Sequence, residues 1–258
     1  MPVLHSLGGP IHSVIDEFPA ELHASRPLHG AEQEEYRKMA EVTIAPDPIS
    51  ARGAHRRIGV LISGRGTNLQ AIIDAIASKR LNAEIAVVIS NRPDAAGLKR
   101  AEEAGVETLV LDHADKAKFA NREDYDRELV QLLKERQVQL VCLAGFMRLL
   151  TKVFLDAFPN AIVNVHPSLL PSFPGTNAQY QAWEHGVKWT GATVHLVTAE
   201  LDGGPIVLQE PVPVKDGDDT DTLAARILER EHHVYPLAIQ LLLNGGWRVE
   251  GRRFIARG

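Results

Sequence analysis

From Ile58 onward the apolar and polar positions alternate between two periods. Arg57 to Ile62 is a short apolar run ending in Ser63-Gly64-Arg65-Gly66, the pattern of a strand running into a tight turn. Leu69, Ile72, Ile73 and Ile76 then fall on one face of a helix. Glu84 to Ile89 reads as a second strand, and Asp94 is the expected N-cap of a helix that carries Leu98, Ala101 and Ala104 and stops at Gly105. Glu107 to Leu111 is a third strand. The next helix starts at Asn121, has Glu123 and Asp124 in its first turn, and directs Tyr125, Leu129, Leu132 and Leu133 inward. Leu140 to Phe146 is continuously apolar, as in a strand covered on both faces. Such regular alternation of strand and helix predicts right-handed βαβ units and an α/β fold with a mostly parallel sheet.

The rhythm tightens beyond residue 160. Ala161 to His166, Ala192 to Val197 and Ile206 to Val214 are strand-like with little helix between the last two, so the C-terminal half is expected to be more irregular. A long helix from Thr220 to about Leu243 carries Leu223, Ile227, Val234, Leu241 and Leu242. Residues 1–56 read differently. They hold six prolines with scattered His and Ser, only Ala31 to Ala40 has helical character, and they predict a poorly ordered extension before a domain over 57–258. Met39 is a candidate natural start within that extension.

Composition narrows the class. A chain of 258 residues, 45% hydrophobic and 24% charged, can bury a full core without covalent staples. Its formal charge of −5 supplies no basic footprint for nucleic acid or an anionic membrane. Cys142 is the single cysteine, which removes an intrachain disulfide and any cysteine-based zinc site. The first residues do not resemble a secretory signal, and no apolar run approaches membrane-spanning length. A cytoplasmic location is expected.

Three segments carry candidate chemistry. Ser63 to Asn68 lies between a strand and a helix N-terminus, where free N–H groups and the helix dipole can hold an anion. An ordinary βα turn and a phosphate cradle both fit. Leu69 stands where a dinucleotide fingerprint needs its third glycine, and no Gly-Lys-Ser/Thr follows for a Walker loop. Asn164 and His166 end a strand and share one side of it, with Pro167 terminating the ladder. A strand-end His is commonly structural; an amide donor beside an imidazole also suits a developing oxyanion. Leu201-Asp202-Gly203-Gly204-Pro205 reads as a turn between strands, and Asp202 becomes chemically useful if it approaches His166, because a nearby carboxylate favours an imidazolium.

From about Ile58 to Leu243 the chain resembles the phosphoribosylglycinamide formyltransferase family. The resemblance rests on Ser63-Gly64-Arg65-Gly66-Thr67-Asn68-Leu69-Gln70, on Ala144 to Leu150, and on Asn164-Val165-His166-Pro167-Ser168-Leu169-Leu170-Pro171. Gly191-Ala192-Thr193-Val194-His195, Leu201 to Pro205 and Glu231-His232 complete it, in order and at compatible spacing. The resemblance implies a Rossmann-like sheet with helices on both faces and two ligand sites. Gly66, Thr67, Asn68 and Glu231 would bind glycinamide ribonucleotide. Arg122, Met147, Arg148, Leu149, Leu150, Thr198, Ala199, Glu200 and Leu201 would bind 10-formyltetrahydrofolate. Asn164, His166 and Asp202 would be the catalytic trio, with no metal required. Core packing is the competing reading of Met147, Leu149 and Leu150. A monomer or homodimer, and no nucleic-acid or membrane partner, are the matching expectations.

Other functions remain open on sequence alone. A hydrolase releasing formate from the same folate would use the same trio but has no second substrate to hold. A methionyl-tRNA formyltransferase needs a further C-terminal domain, whereas only Trp247 to Gly258 follows here. A non-catalytic nucleotide or folate sensor would bind without turnover.

Overall fold

The computed structural model describes residues 44–46, 56–115 and 117–256. Among these residues, ten strands form one sheet: β1 (Ile44–Pro46), β2 (Arg57–Ile62), β3 (Glu84–Ser90), β4 (Thr108–Val110), β5 (Leu140–Leu143), β6 (Ile162–His166), β7 (Trp189–Leu196), β8 (Ile206–Pro213), β9 (Trp247–Glu250) and β10 (Arg253–Ala256). Among the described residues, six helices accompany them: α1 (Thr67–Ala77), α2 (Gly97–Glu103), α3 (Arg122–Glu135), α4 (Lys152–Ala157), α5 (Ala178–Glu184) and α6 (Thr220–Asn244).

The strand order is β1-β9-β10-β8-β7-β6-β5-β2-β3-β4. Pairing is parallel from β4 through β3, β2 and β5 to β6, then antiparallel from β6 to β7 and from β7 to β8. The expected change of character after residue 160 is therefore a change of strand direction. The order also reverses at β2, whose two neighbours are β5 and β3, so the C-terminal ends of β2 and β5 flank a crevice of the kind where open α/β sheets bind ligands.

Both faces of the sheet are covered, because successive strand residues point to opposite sides. Val60 and Ile62 join Leu69, Ile72, Leu98, Tyr235 and Ile239 in one core under α1, α2 and α6. Leu61, between them, joins Tyr125, Leu129, Leu133, Phe154 and Phe158 under α3 and α4. Tyr235, fully buried in α6, places its hydroxyl 2.9 Å from the Leu143 carbonyl and 3.1 Å from that of Val163. It thereby ties the last helix to β5 and β6, the strands that lead into the candidate site.

Several boundaries differ from the sequence reading. Asp94 caps no helix; its carboxylate takes two hydrogen bonds from the Arg92 guanidinium, and α2 starts three residues later behind Ala96. The apolar run from Leu140 leaves the ladder at Leu143, because Gly145 turns at φ 74 and Ser63 Oγ accepts the Met147 N–H at 2.8 Å. Leu132, expected inward, is partly buried. Strand β7 begins at Trp189, three residues early. Asn121 is the N-cap of α3 as expected, its side chain accepting the Asp124 N–H at 2.9 Å. The short helices α4 and α5 and the β9–β10 hairpin were not anticipated. Ile44–Pro46, inside the expected extension, form a strand paired with β9. The helical reading over Ala31 to Ala40 and the start at Met39 lie outside the described residues.

Candidate active site

Asn164 and His166 stand at the C-terminal end of β6, and the antiparallel partner β7 puts His195 opposite Asn164 and Thr193 opposite His166. Directly paired residues share a face of the sheet, so the Asn164 carboxamide meets the His195 ring, with Nδ2 and Nε2 3.2 Å apart. The other His195 nitrogen, Nδ1, lies 3.1 Å from the Leu196 carbonyl oxygen. The loop after β7 then returns Asp202, in the left-handed region at φ 50, to the same place. Its Oδ2 is 3.5 Å from His166 Nδ1 and accepts the Gly175 N–H at 2.7 Å, while Oδ1 is 3.6 Å from His195 Nε2.

His166 Nε2 faces the Phe173 carbonyl oxygen at 2.8 Å. Both nitrogens of this buried ring therefore face acceptors, the Phe173 carbonyl at 2.8 Å and the Asp202 carboxylate at 3.5 Å. The His195 ring is shifted by its surroundings. Burial lowers its pKa below the usual imidazole range, with the neighbouring His166 adding to the effect, and this outweighs the opposing pull of the Leu196 carbonyl and the Asp202 carboxylate. The structure thus brings Asn164, His166 and Asp202 together and adds His195 between the first and the last.

The loop after β2 is shaped by α2. Gly66 is the N-cap of α1 at φ 70 with no side-chain cap, and a Cβ on it would lie 2.5 Å from Gly97 Cα. Gly97 N–H donates to the Gly64 carbonyl at 3.0 Å, and Arg100 Nε donates to the Arg65 carbonyl at 3.0 Å. Such close backbone approach leaves the first N–H groups of α1 free of side-chain caps, as an anion site requires. Thr67 opens onto a cavity of about 270 Å³ that Arg80, Arg100 and His232 also line. Asn68 Nδ2 donates to Glu231 Oε2 at 2.6 Å, and Asn68 Oδ1 is buried without a partner. Burial raises the Glu231 carboxyl to about 7, against the opposing effects of the Asn68 hydrogen bond and the Arg65 charge.

The remaining predicted positions line the other side of the β5 end. Met147 is 75% exposed and Leu149 58%, so neither is a core residue, whereas Leu150 packs in part against the second core. Arg148 lies over the Tyr125 ring, 4.2 Å from its centroid, with its Nε buried and unpartnered. Arg122 donates to the Leu149 carbonyl at 2.6 Å. In the loop after β7, Thr198 and Ala199 are exposed, Glu200 pairs with Arg252 of the β9–β10 turn at 2.7 Å, and Leu201 is 54% exposed. Met147, Leu149 and Leu201 are therefore exposed apolar positions that a ligand can cover.

His195, Phe173, Arg100 and Arg252 are site-side residues that the sequence reading left without a role. His195 stood inside a quoted motif, but its contact with Asn164 depends on strand register.

Comparison with known proteins places the chain in a family. The formyl transferase family matches residues 56–239. Phosphoribosylglycinamide formyltransferase of Escherichia coli K12 is 46% identical over 195 residues, covering 76% of this chain and 88% of that protein. The trifunctional purine biosynthetic protein adenosine-3 of Drosophila melanogaster is 47% identical over 192 residues, and the chain spans only 14% of its length. The crystal structure of glycinamide ribonucleotide transformylase 1 from Symbiobacterium toebii superposes with a TM-score of 0.76 at 53% identity, covering 79% of this chain and 95% of that one. The chain belongs to the formyl transferase family, among its phosphoribosylglycinamide formyltransferases.

Proposed function

We propose that this chain transfers the formyl group of 10-formyltetrahydrofolate to the amine of glycinamide ribonucleotide. The observation that carries the reading is the cluster at the end of β6, where the Asn164 carboxamide and the His166 ring stand beside the Asp202 carboxylate. The uncapped start of α1 on neighbouring β2 supports a place for the acceptor's phosphate, with Asn68 and Glu231 beside it. Met147, Arg148, Leu149 and Leu201 support a place for the folate.

In the proposed step the acceptor nitrogen forms a bond to the formyl carbon, and the carbonyl electron pair moves onto oxygen. The carbon–N10 bond then breaks, and the proton lost by the attacking amine ends on N10 by way of solvent. Asn164 donates one amide hydrogen to the oxyanion. His166 donates through Nε2–H, exchanging the Phe173 carbonyl for a charged oxygen that is the stronger acceptor. Asp202, facing Nδ1, places a negative charge beside the ring as it donates to the oxyanion. Donors already ordered by the fold are what make such stabilisation large.

The test mixes the protein with 10-formyltetrahydrofolate and follows folate absorbance with and without glycinamide ribonucleotide. Amine-dependent change supports transfer. Loss of the formyl folate at the same rate without the amine identifies a hydrolase, and binding without turnover identifies a sensor.

A further inference from the structure

We propose that His195 is a positioning residue that fixes which end of the Asn164 carboxamide faces the reacting carbonyl. The argument rests on the proposed role of Asn164 as an oxyanion donor. It begins with the Leu196 carbonyl, 3.1 Å from His195 Nδ1. A carbonyl oxygen can only accept, so Nδ1 carries the hydrogen. In the neutral ring Nε2 then presents a lone pair, and the group 3.2 Å away on Asn164 has to be the NH2 end of the amide. One hydrogen of that nitrogen is used on His195, and the second is left as a donor for a ligand oxygen.

The opposite amide orientation would set Asn164 Oδ1 against the Nε2 lone pair, two acceptors facing each other. His195 thus converts a group that flips at little cost into one with a single favoured orientation. The register of β6 on β7 makes this local: the two side chains are direct cross-strand partners, and His195 is 2% exposed.

The charged groups around the ring are consistent with a neutral His195. Asp202 Oδ1 lies 3.6 Å from Nε2 and Oδ2 lies 3.5 Å from His166 Nδ1, so neither ring makes a close hydrogen bond to the carboxylate. Burial keeps His195 below the usual imidazole range. Were His195 protonated, both its nitrogens would donate, and the amide would turn its oxygen towards Nε2, exchanging its donor and acceptor ends.

The wild-type chain labelled with ring-15N histidine reads this directly. The expected spectrum at neutral pH assigns His195 as neutral with the hydrogen on Nδ1, the assignment coming from the signals that vanish in His195→Gln. A charged ring, or a hydrogen on Nε2, overturns the proposal. In kinetics, His195→Phe keeps the bulk of the ring but removes the acceptor, and kcat should fall by about 10–100-fold with both KM values little changed, the size of effect a misplaced group produces. His195→Gln, whose oxygen can still accept from Asn164, should recover most of the loss. The double variant with Asn164→Ala should be no slower than Asn164→Ala alone, since His195 acts through that amide. Multiplying losses, or a His195→Phe enzyme with unchanged kcat, overturns the inference. An Asn164→Ala enzyme at full rate would instead remove the oxyanion role itself, which separates the two failures.

Discussion

Asp202 Oδ2 lies 3.5 Å from Nδ1 of His166, and the same oxygen accepts the backbone N–H of Gly175 at 2.7 Å. One carboxylate therefore has two tasks, charge opposite the imidazole and anchorage of the loop that follows β6. Asp202→Asn separates them, because an amide oxygen can still accept from Gly175 but carries no charge. With His166 left in place, kcat should fall ~10²–10⁴-fold, the usual range for a lost acid–base or charge contribution. His166→Ala should lose a similar factor, and steady-state kinetics with saturating amine and folate reads both. Near-normal turnover in either variant contradicts the proposed mechanism.

Glu231 couples the acceptor side to pH. Its carboxyl is raised to about 7 by burial, so the folded protein keeps a proton that the unfolded chain releases near the ordinary carboxyl value of 4.5. The unfolded state then binds fewer protons, and stability falls as pH rises between those values, with the penalty complete above the upper one. Glu231→Gln keeps an acceptor for Asn68 and removes the charge. Urea denaturation of this variant should show roughly 1–3 kcal/mol more stability than wild type at alkaline pH and little difference in acid. Identical pH profiles would mean that Glu231 is ionised without penalty. The same variant should raise KM for glycinamide ribonucleotide.

Gly66 is held at φ 70 with a Cβ position 2.5 Å from Gly97 Cα. Gly66→Ala must both strain the backbone and push α2 from the loop, costing about 1–3 kcal/mol. Thermal unfolding should record the loss. In the folded fraction the acceptor KM should rise while the folate KM stays near wild type. An unchanged melting temperature would show that the loop tolerates a side chain.

Tyr235→Phe tests the tie between α6 and the two site strands. The change keeps the ring and removes a hydroxyl that lies within hydrogen-bond distance of the Leu143 and Val163 carbonyls. Leaving buried acceptors short of a donor costs about 1–3 kcal/mol, so chemical denaturation should show a loss in that range. A variant as stable as wild type would mean that other contacts hold the helix in place.

Much of the first half was legible because its information is local. The period of Leu69, Ile72, Ile73 and Ile76 identifies α1, and Asn121 with Glu123 and Asp124 identifies the start of α3. Two-residue alternation alone put Asn164 and His166 on one side of β6. Local patterns misled where a neighbour competed for the same group. Asp94 looked like a cap, yet the Arg92 guanidinium takes its carboxylate; the Leu140 run looked like a long strand, yet Gly145 and Ser63 turn it out of the sheet.

By itself, then, the order of residues determined an alternating α/β chain, the strand that presents an amide and an imidazole together, and the family pattern those segments form. Which partners they meet was decided only in three dimensions. The pairing of Asn164 with His195 needs the β6–β7 register, the approach of Asp202 needs the left-handed turn after β7, and the bond from Asn68 to Glu231 needs α6 docked against α1. Side-chain periodicity is written into neighbouring residues, whereas register and docking are set by the packing of a whole sheet face, so distances between remote segments emerge only when that face is buried.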